Sequence, residues 1–147
     1  MKKKVFISSD HAGFDAKEKL KSTLKNKYQM IDLGPKLFTK TDDYPDYAFK
    51  LAEKVSKSNS QGILICGSAV GMCIAANKVK GIRAVAAYDT KIAKLSREHN
   101  NANVLCLQGR NFPTLNARKI AETFLSTPFS NESRHLRRIK KISNYER

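Results

Sequence analysis

The sequence predicts an α/β fold: a three-layer, doubly wound (Rossmann-like) parallel sheet of five strands, with a basic helix at the C-terminal end. Two observations carry this. Short apolar runs recur five times, and segments with helical spacing lie between them. Strands that alternate with helices in this way pair in parallel and are covered on both faces. Val5-Phe6-Ile7-Ser8 reads as the first strand and ends in Ser9-Asp10-His11-Ala12-Gly13. Phe14, Leu20, Leu24 and Tyr28 follow at roughly helical intervals among lysines, an amphipathic first helix. Met30-Ile31-Asp32-Leu33 is the second strand, closed by the breakers Gly34-Pro35, and Lys36 to Asp43 is a polar loop. Pro45 suits a first helical position, ahead of the stripe Ala48, Leu51, Ala52 and Val55. Ile63-Leu64-Ile65 is the third strand, and Met72 to Asn77 supplies the next helix. Ile82 to Ala87 is the fourth strand, and Asp89 or Thr90 caps a helix carrying Ile92, Ala93, Leu95 and Ser96. Asn103-Val104-Leu105-Cys106-Leu107 is the fifth. Pro113 starts a helix with Ile120, Ala121, Phe124 and Leu125 on one face, and past Pro128 a basic helix runs from Glu132 towards Tyr145. No repeat or linker interrupts the pattern, so one domain over residues 1–147 is expected.

The chain has 147 residues, enough for a sizeable core, and its 41% hydrophobic and 28% charged content is that of a globular protein. No apolar run approaches the ~18 residues that a membrane span needs. Met1-Lys2-Lys3-Lys4 has the basic start of a secretory signal, but the apolar run Val5-Phe6-Ile7 is too short to continue one, so a cytoplasmic location is expected. The three cysteines include no Cys-x-x-Cys pair, which argues against a disulfide scaffold or a zinc knuckle. His11, His99 and His135 match no ligand spacing, and no metal is expected. A net charge of +15 invites an anionic partner. The lysines are scattered, however, and aromatics do not interleave with them, which favours a solvated surface over a nucleic-acid face.

In doubly wound sheets ligands bind beyond the carboxyl ends of the strands. Asp10 and His11 follow the first strand, Cys66 to Gly71 the third, and Gly109-Arg110 the fifth. His99 and Asn100 fall just before the fifth strand, at the opposite edge, and can join the others only if a second subunit delivers them. On the last helix Arg134, Arg138 and Lys141 share one face, with Leu136, Ile139 and Ile142 opposite them for packing. Two arginines one turn apart suit a bidentate phosphate clamp and, equally, a solvated face.

Neither a Gly-x-Gly-x-x-Gly nor a Walker loop is present, so no nucleotide cofactor is expected. Gly67-Ser68-Ala69-Val70-Gly71 still offers successive backbone N–H groups to an oxyanion or phosphate. The same glycines also fit a packing turn that lets helix and strand approach, and the residues alone leave both readings open. Cys66 stands where strand, loop and helix meet, beside unpaired N–H groups and a positive helix end that favour thiolate. Cys73 and Cys106, inside a helix and a strand, read as small buried hydrophobes. Asp10-His11 reads equally as an Asx-turn, and His99 as a helix-end histidine.

Taken together, these segments resemble the ribose-5-phosphate isomerase B family, which includes the galactose-6-phosphate isomerase subunits. The resemblance rests on Ser9-Asp10-His11-Ala12-Gly13, Asp43-Tyr44-Pro45-Asp46-Tyr47-Ala48, Cys66-Gly67-Ser68 through Gly71-Met72, Ile74-Ala75-Ala76-Asn77-Lys78, Gly81-Ile82-Arg83-Ala84 and Ser96 through Leu105, with Arg134-His135 and Arg138. It implies aldose–ketose isomerisation of a sugar phosphate through an enediolate, without metal or nucleotide. By position Cys66 is then the base. Some relatives use a glutamate where this chain has Met72, which cannot act so. The resemblance further implies that Gly67, Ala69, Val70 and Gly71 offer backbone N–H groups to the enediolate, and that Ser68 moves protons between the two oxygens. It gives ring opening to His99 with Asp10, sugar hydroxyls to Asn100, and the pocket wall to Tyr44. It gives the phosphate and the far end of the substrate to His11, Arg110, Arg134 and Arg138. The family's sites lie between two subunits, so a homo-oligomer, dimer or tetramer, is expected, with no nucleic-acid or membrane partner. The expected reaction is ribose 5-phosphate to ribulose 5-phosphate in the pentose phosphate pathway, with six-carbon sugar phosphates as the alternative substrates. A non-catalytic binder of RNA or an anionic metabolite is the rival class. Ala69 departs from the family's usual glycine; if that position takes positive φ, alanine strains the turn by ~1 kcal/mol.

Overall fold

The computed structural model describes residues 1–146. In chain order the elements are β1 (Lys3–Ser9), α1 (Phe14–Leu24), β2 (Tyr28–Asp32), α2 (Tyr44–Ser56), β3 (Gln61–Cys66), α3 (Val70–Ala76), β4 (Ala84–Ala86), α4 (Thr90–Asn100), β5 (Val104–Gln108), α5 (Thr114–Ser126) and α6 (Ser133–Tyr145). The strands form one sheet in the order β2-β1-β3-β5-β4, and every pairing is parallel. This is the expected three-layer α/β architecture.

The pleat divides the core in two. Val5, Ile7, Ile63, Ile65, Leu105 and Leu107 pack with Leu20 and Leu24 of α1 and with Ile120 and Phe124 of α5. The intervening Phe6, Leu64, Val104 and Cys106 meet Leu51 of α2 and Met72 of α3 on the other face. Because β1, β3 and β5 bury both faces, they read as unbroken apolar runs rather than alternating ones. No helix among the described residues is long and apolar enough to cross a membrane.

Three local expectations are corrected. Tyr28 belongs to β2, where it pairs with Lys3, because the first helix ends at Leu24 and Lys27 N–H closes it onto the Leu24 carbonyl at 3.0 Å. Ile82 and Arg83 lie outside β4: the Asn103 side chain accepts from Arg83 N–H at 2.8 Å and donates to the Gly81 carbonyl at 2.8 Å. The presumed packing side of α6 is also open, since Leu136 and Ile142 are exposed, whereas His135 is buried. His135 stacks on His99 of α4, and further along α6 Ile142 and Tyr145 border an open cavity with Asn100 and Ile82.

Candidate active site

Sheet order decides where a site can form. From β1 the chain crosses to β2 on one side, and β3 lies on the other, so a crevice opens at the carboxyl ends of β1 and β3. Ser9 pairs with Ile65 and Cys66 with Gln108, which brings the segments after β1, β3 and β5 side by side. A cavity of about 370 Å³ lies there, walled by Asp10, His11, Ala12, Tyr44, Cys66, Gly67, Ser68, Gly71 and Arg110.

Cys66 is 4% exposed and its carbonyl accepts Gly109 N–H at 2.8 Å, which ties the β3 turn to the β5 turn. Arg110 N–H reaches the Gly67 carbonyl at 3.3 Å. A Cβ on Gly67 would stand 3.1 Å from the Arg110 guanidinium, and one on Gly71 would stand 2.7 Å from the Tyr44 ring. The two glycines therefore admit Arg110 and Tyr44 to the cavity as well as shaping the turn. Ala69 has φ 72° and ψ −17°, the left-handed region, and its methyl is buried, while the Val70 side chain is exposed. Val70 N–H makes a long contact of 3.4 Å to Ser68 Oγ, which leaves the hydroxyl proton of Ser68 free to donate elsewhere. Tyr88 donates its hydroxyl to the Ser68 carbonyl at 2.7 Å.

Asp10 is 5% exposed, and its Oδ1 accepts Gly13 N–H at 3.0 Å, closing the turn into α1. Burial raises its pKa above the ordinary carboxylate range, against the pull of the Gly13 N–H. His11 is held by Asp42, whose Oδ1 lies 3.0 Å from the His11 backbone nitrogen and 2.7 Å from Nδ1. In the sequence Asp42 reads as part of the polar loop Lys36 to Asp43. No local pattern marks it, because the contact spans 31 positions.

His99, Asn100, Arg134 and Arg138 lie away from this cavity in the chain. The His99 ring stacks at a tilt on His135, centroids 4.4 Å apart. His135 Nδ1 sits 2.9 Å from Ser130 Oγ, and burial followed by the neighbouring His99 lowers its pKa. Asn100 borders a second cavity of about 620 Å³ with Lys141 and Tyr145. Arg134 pairs with Glu132 at 2.8 Å on an exposed face.

Cys73 is half-buried, whereas Cys106 is buried. The neighbouring Cys106 thiol lowers the Cys73 pKa to about 7, while burial pushes Cys106 well up. Met72 is wholly buried in the core beneath the turn. Among the described residues, no group of three or more His, Cys, Asp or Glu is placed to hold a metal.

A model of the Ribose/Galactose Isomerase family matches residues 5–142. The chain is 48% identical over 146 residues to a Mycoplasma genitalium protein named "Probable ribose-5-phosphate isomerase B", covering 97% of this chain and 95% of that one. The crystal structure of ribose-5-phosphate isomerase B from Mycoplasma genitalium with bound ribulose 5-phosphate superposes with a TM-score of 0.94 at 48% identity, covering 99% and 97% of the two chains. The type B ribose 5-phosphate isomerase of Trypanosoma cruzi gives 0.94 at 43% identity, over 99% and 97%. The cavity at the ends of β1, β3 and β5 thus sits in a chain that belongs to the ribose/galactose isomerase family.

Proposed function

We propose that the chain is one isomerase domain over residues 1–147 that interconverts D-ribose 5-phosphate and D-ribulose 5-phosphate, with Cys66 as the base. The observation that carries this is a thiol sharing one cavity with Asp10, Ser68 and Arg110, beside a turn of small residues. The names of the similar proteins, and the ribulose 5-phosphate bound in one of them, support the substrate class.

In the open-chain aldose the C2 proton is acidified by the C1 carbonyl. The Cys66 thiolate takes that proton, and the electron pair passes through C1–C2 to the carbonyl oxygen as an enediolate. Backbone N–H groups of Gly67 to Gly71 stabilise that negative charge. Ser68 carries a proton from O2 to O1, and Cys66 returns its proton to C1, giving the ketose with no atom gained or lost. Met72 offers no carboxylate to share this work.

His99 with Asp10 opens the sugar ring, Asn100 takes sugar hydroxyls and Tyr44 lines the wall. His11, Arg110, Arg134 and Arg138 take the phosphate end. Since His99, Asn100, Arg134 and Arg138 stand outside the Cys66 cavity, a second copy of the chain supplies them in a homo-oligomer. The exposed Val70 in the turn after β3, and the exposed Tyr88 bonded to the Ser68 carbonyl of that turn, suit such a contact. The setting is pentose phosphate metabolism in the cytoplasm.

The test is turnover of ribose 5-phosphate beside allose 6-phosphate. Cys66→Ala is expected to lose on the order of 10²–10⁴-fold in kcat while still binding substrate. Undetectable isomerisation of both sugars by the intact protein overturns the reading, and tight, salt-steep RNA binding would point to the rival class.

A further inference from the structure

The loop between β2 and α2 brings a buried carboxylate to the cavity wall without entering the cavity. The Asp42 side chain is 7% exposed, and its carboxylate faces the Tyr47 hydroxyl as well as His11. Both contacts of its Oδ1 go to one residue, His11, at the backbone nitrogen and at Nδ1. The loop is pinned at its start, where Pro35 carbonyl accepts from Lys17 Nζ at 2.9 Å and Asp32 Oδ1 accepts from Gly34 N–H at 2.9 Å. Phe38 sets its ring edge-on to His11, centroids 6.2 Å apart. An ionised carboxylate only accepts, so a proton stays on His11 Nδ1 whether the imidazole is neutral or charged. With Nδ1 turned to the wall, Nε2 is the nitrogen left for a substrate.

We propose that Asp42 is a positioning residue of the active site: it fixes the rotamer of His11 and keeps a proton on Nδ1, so that Nε2 faces the substrate and, in the charged ring, donates to the phosphate. The proposal rests on the isomerase reading for its kinetic consequence, but its structural part can be read without turnover. A solvated neutral histidine side chain prefers the proton on Nε2, so the tautomer is diagnostic.

The experiment resolves the His11 ring nitrogens by long-range ¹H–¹⁵N correlation in the full, substrate-free chain, at a pH about two units above the ordinary histidine value. The intact protein should show the proton on Nδ1. Asp42→Ala should move it to Nε2 or average it, and Asp42→Asn, whose amide oxygen still accepts, should keep it on Nδ1. In kinetics on ribose 5-phosphate, Asp42→Ala should raise KM about tenfold with kcat within about twofold, and Asp42→Asn should recover most of that loss. In a His11→Ala background the added Asp42→Ala should change nothing. An unchanged tautomer in Asp42→Ala, or an equal loss with and without His11, overturns the proposal. If the intact chain turns over no sugar phosphate, the isomerase reading falls and the tautomer alone decides this one.

Discussion

At Ala69 two magnitudes oppose each other. A left-handed φ of 72° costs a non-glycine residue roughly 1–2 kcal/mol, whereas burying its methyl returns about 0.8 kcal/mol. Strain wins by a small margin. Ala69→Gly is therefore expected to raise stability by about 0.5 kcal/mol in urea unfolding, and Ala69→Val to lower it by roughly 3 kcal/mol or more, since a β-branched side chain tolerates positive φ worst. A loss of stability in Ala69→Gly would show that the methyl, not the turn, governs the site. Asp10 presents a second residue-scale conflict. Its pKa is raised by burial, so between the unfolded and folded values the folded state binds more protons, and stability falls as pH rises through that window. Asp10→Asn keeps an acceptor for Gly13 N–H and removes the charge. Its Tm should exceed that of the intact protein at neutral pH, converge with it below the ordinary carboxylate pKa, and come with lost isomerase activity.

At the scale of elements, Lys17 joins α1 to β2 and to the loop behind it. Its side chain is fully buried, and Nζ reaches Asp32 Oδ2 at 2.8 Å, Pro35 carbonyl at 2.9 Å and Glu18 Oε1 at 3.2 Å. A lysine among lysines on an amphipathic helix reads as solvated. Only the sheet beneath α1, which supplies Asp32, turns this one inward. Burial opposes ionisation of Asp32, yet Lys17, Lys21 and Gly34 N–H together hold its pKa below the ordinary range. That depression gives stability above the unfolded pKa, and acidification through the folded value removes it. Lys17→Met should cost about 2–3 kcal/mol in urea at neutral pH, less than a wholly broken buried pair because Lys21 remains at 2.6 Å from Asp32. It should also flatten the decline in stability on the acid side. A variant as stable as the parent, with the acid limb unchanged, would mean that the network only decorates the helix.

For the whole molecule the decisive fact is that the proposed machinery is split. The base, the turn and Asp10 face one cavity, while His99 stacks on His135 elsewhere in the same chain. Mixing Cys66→Ala with His99→Ala protein, with subunit exchange verified, should restore up to roughly a quarter of parental activity, because mixed dimers hold one site intact in both halves. No recovery would count against shared sites. The strands and the loops after them were legible in the sequence for a physical reason: parallel strands buried on both faces leave unbroken apolar runs, and ligands gather at their carboxyl ends. The separation of His99 was legible too, since a helix C-terminus lies at the opposite edge from strand C-termini. Asp42, the inward turn of Lys17 and the exposed apolar residues of α6 were not. Each depends on contacts between segments distant in the chain, or on side chains left exposed among the described residues, and periodicity records neither. By itself the sequence determined the α/β class, the order of elements and the residues that follow each strand, because local spacing and burial on both faces govern these. Tertiary structure alone decided that Asp42 grips His11, that Gly67 and Gly71 make room for Arg110 and Tyr44, and that Ala69 bears a left-handed turn, because hydrogen-bond partners and close approach exist only once the strands lie side by side.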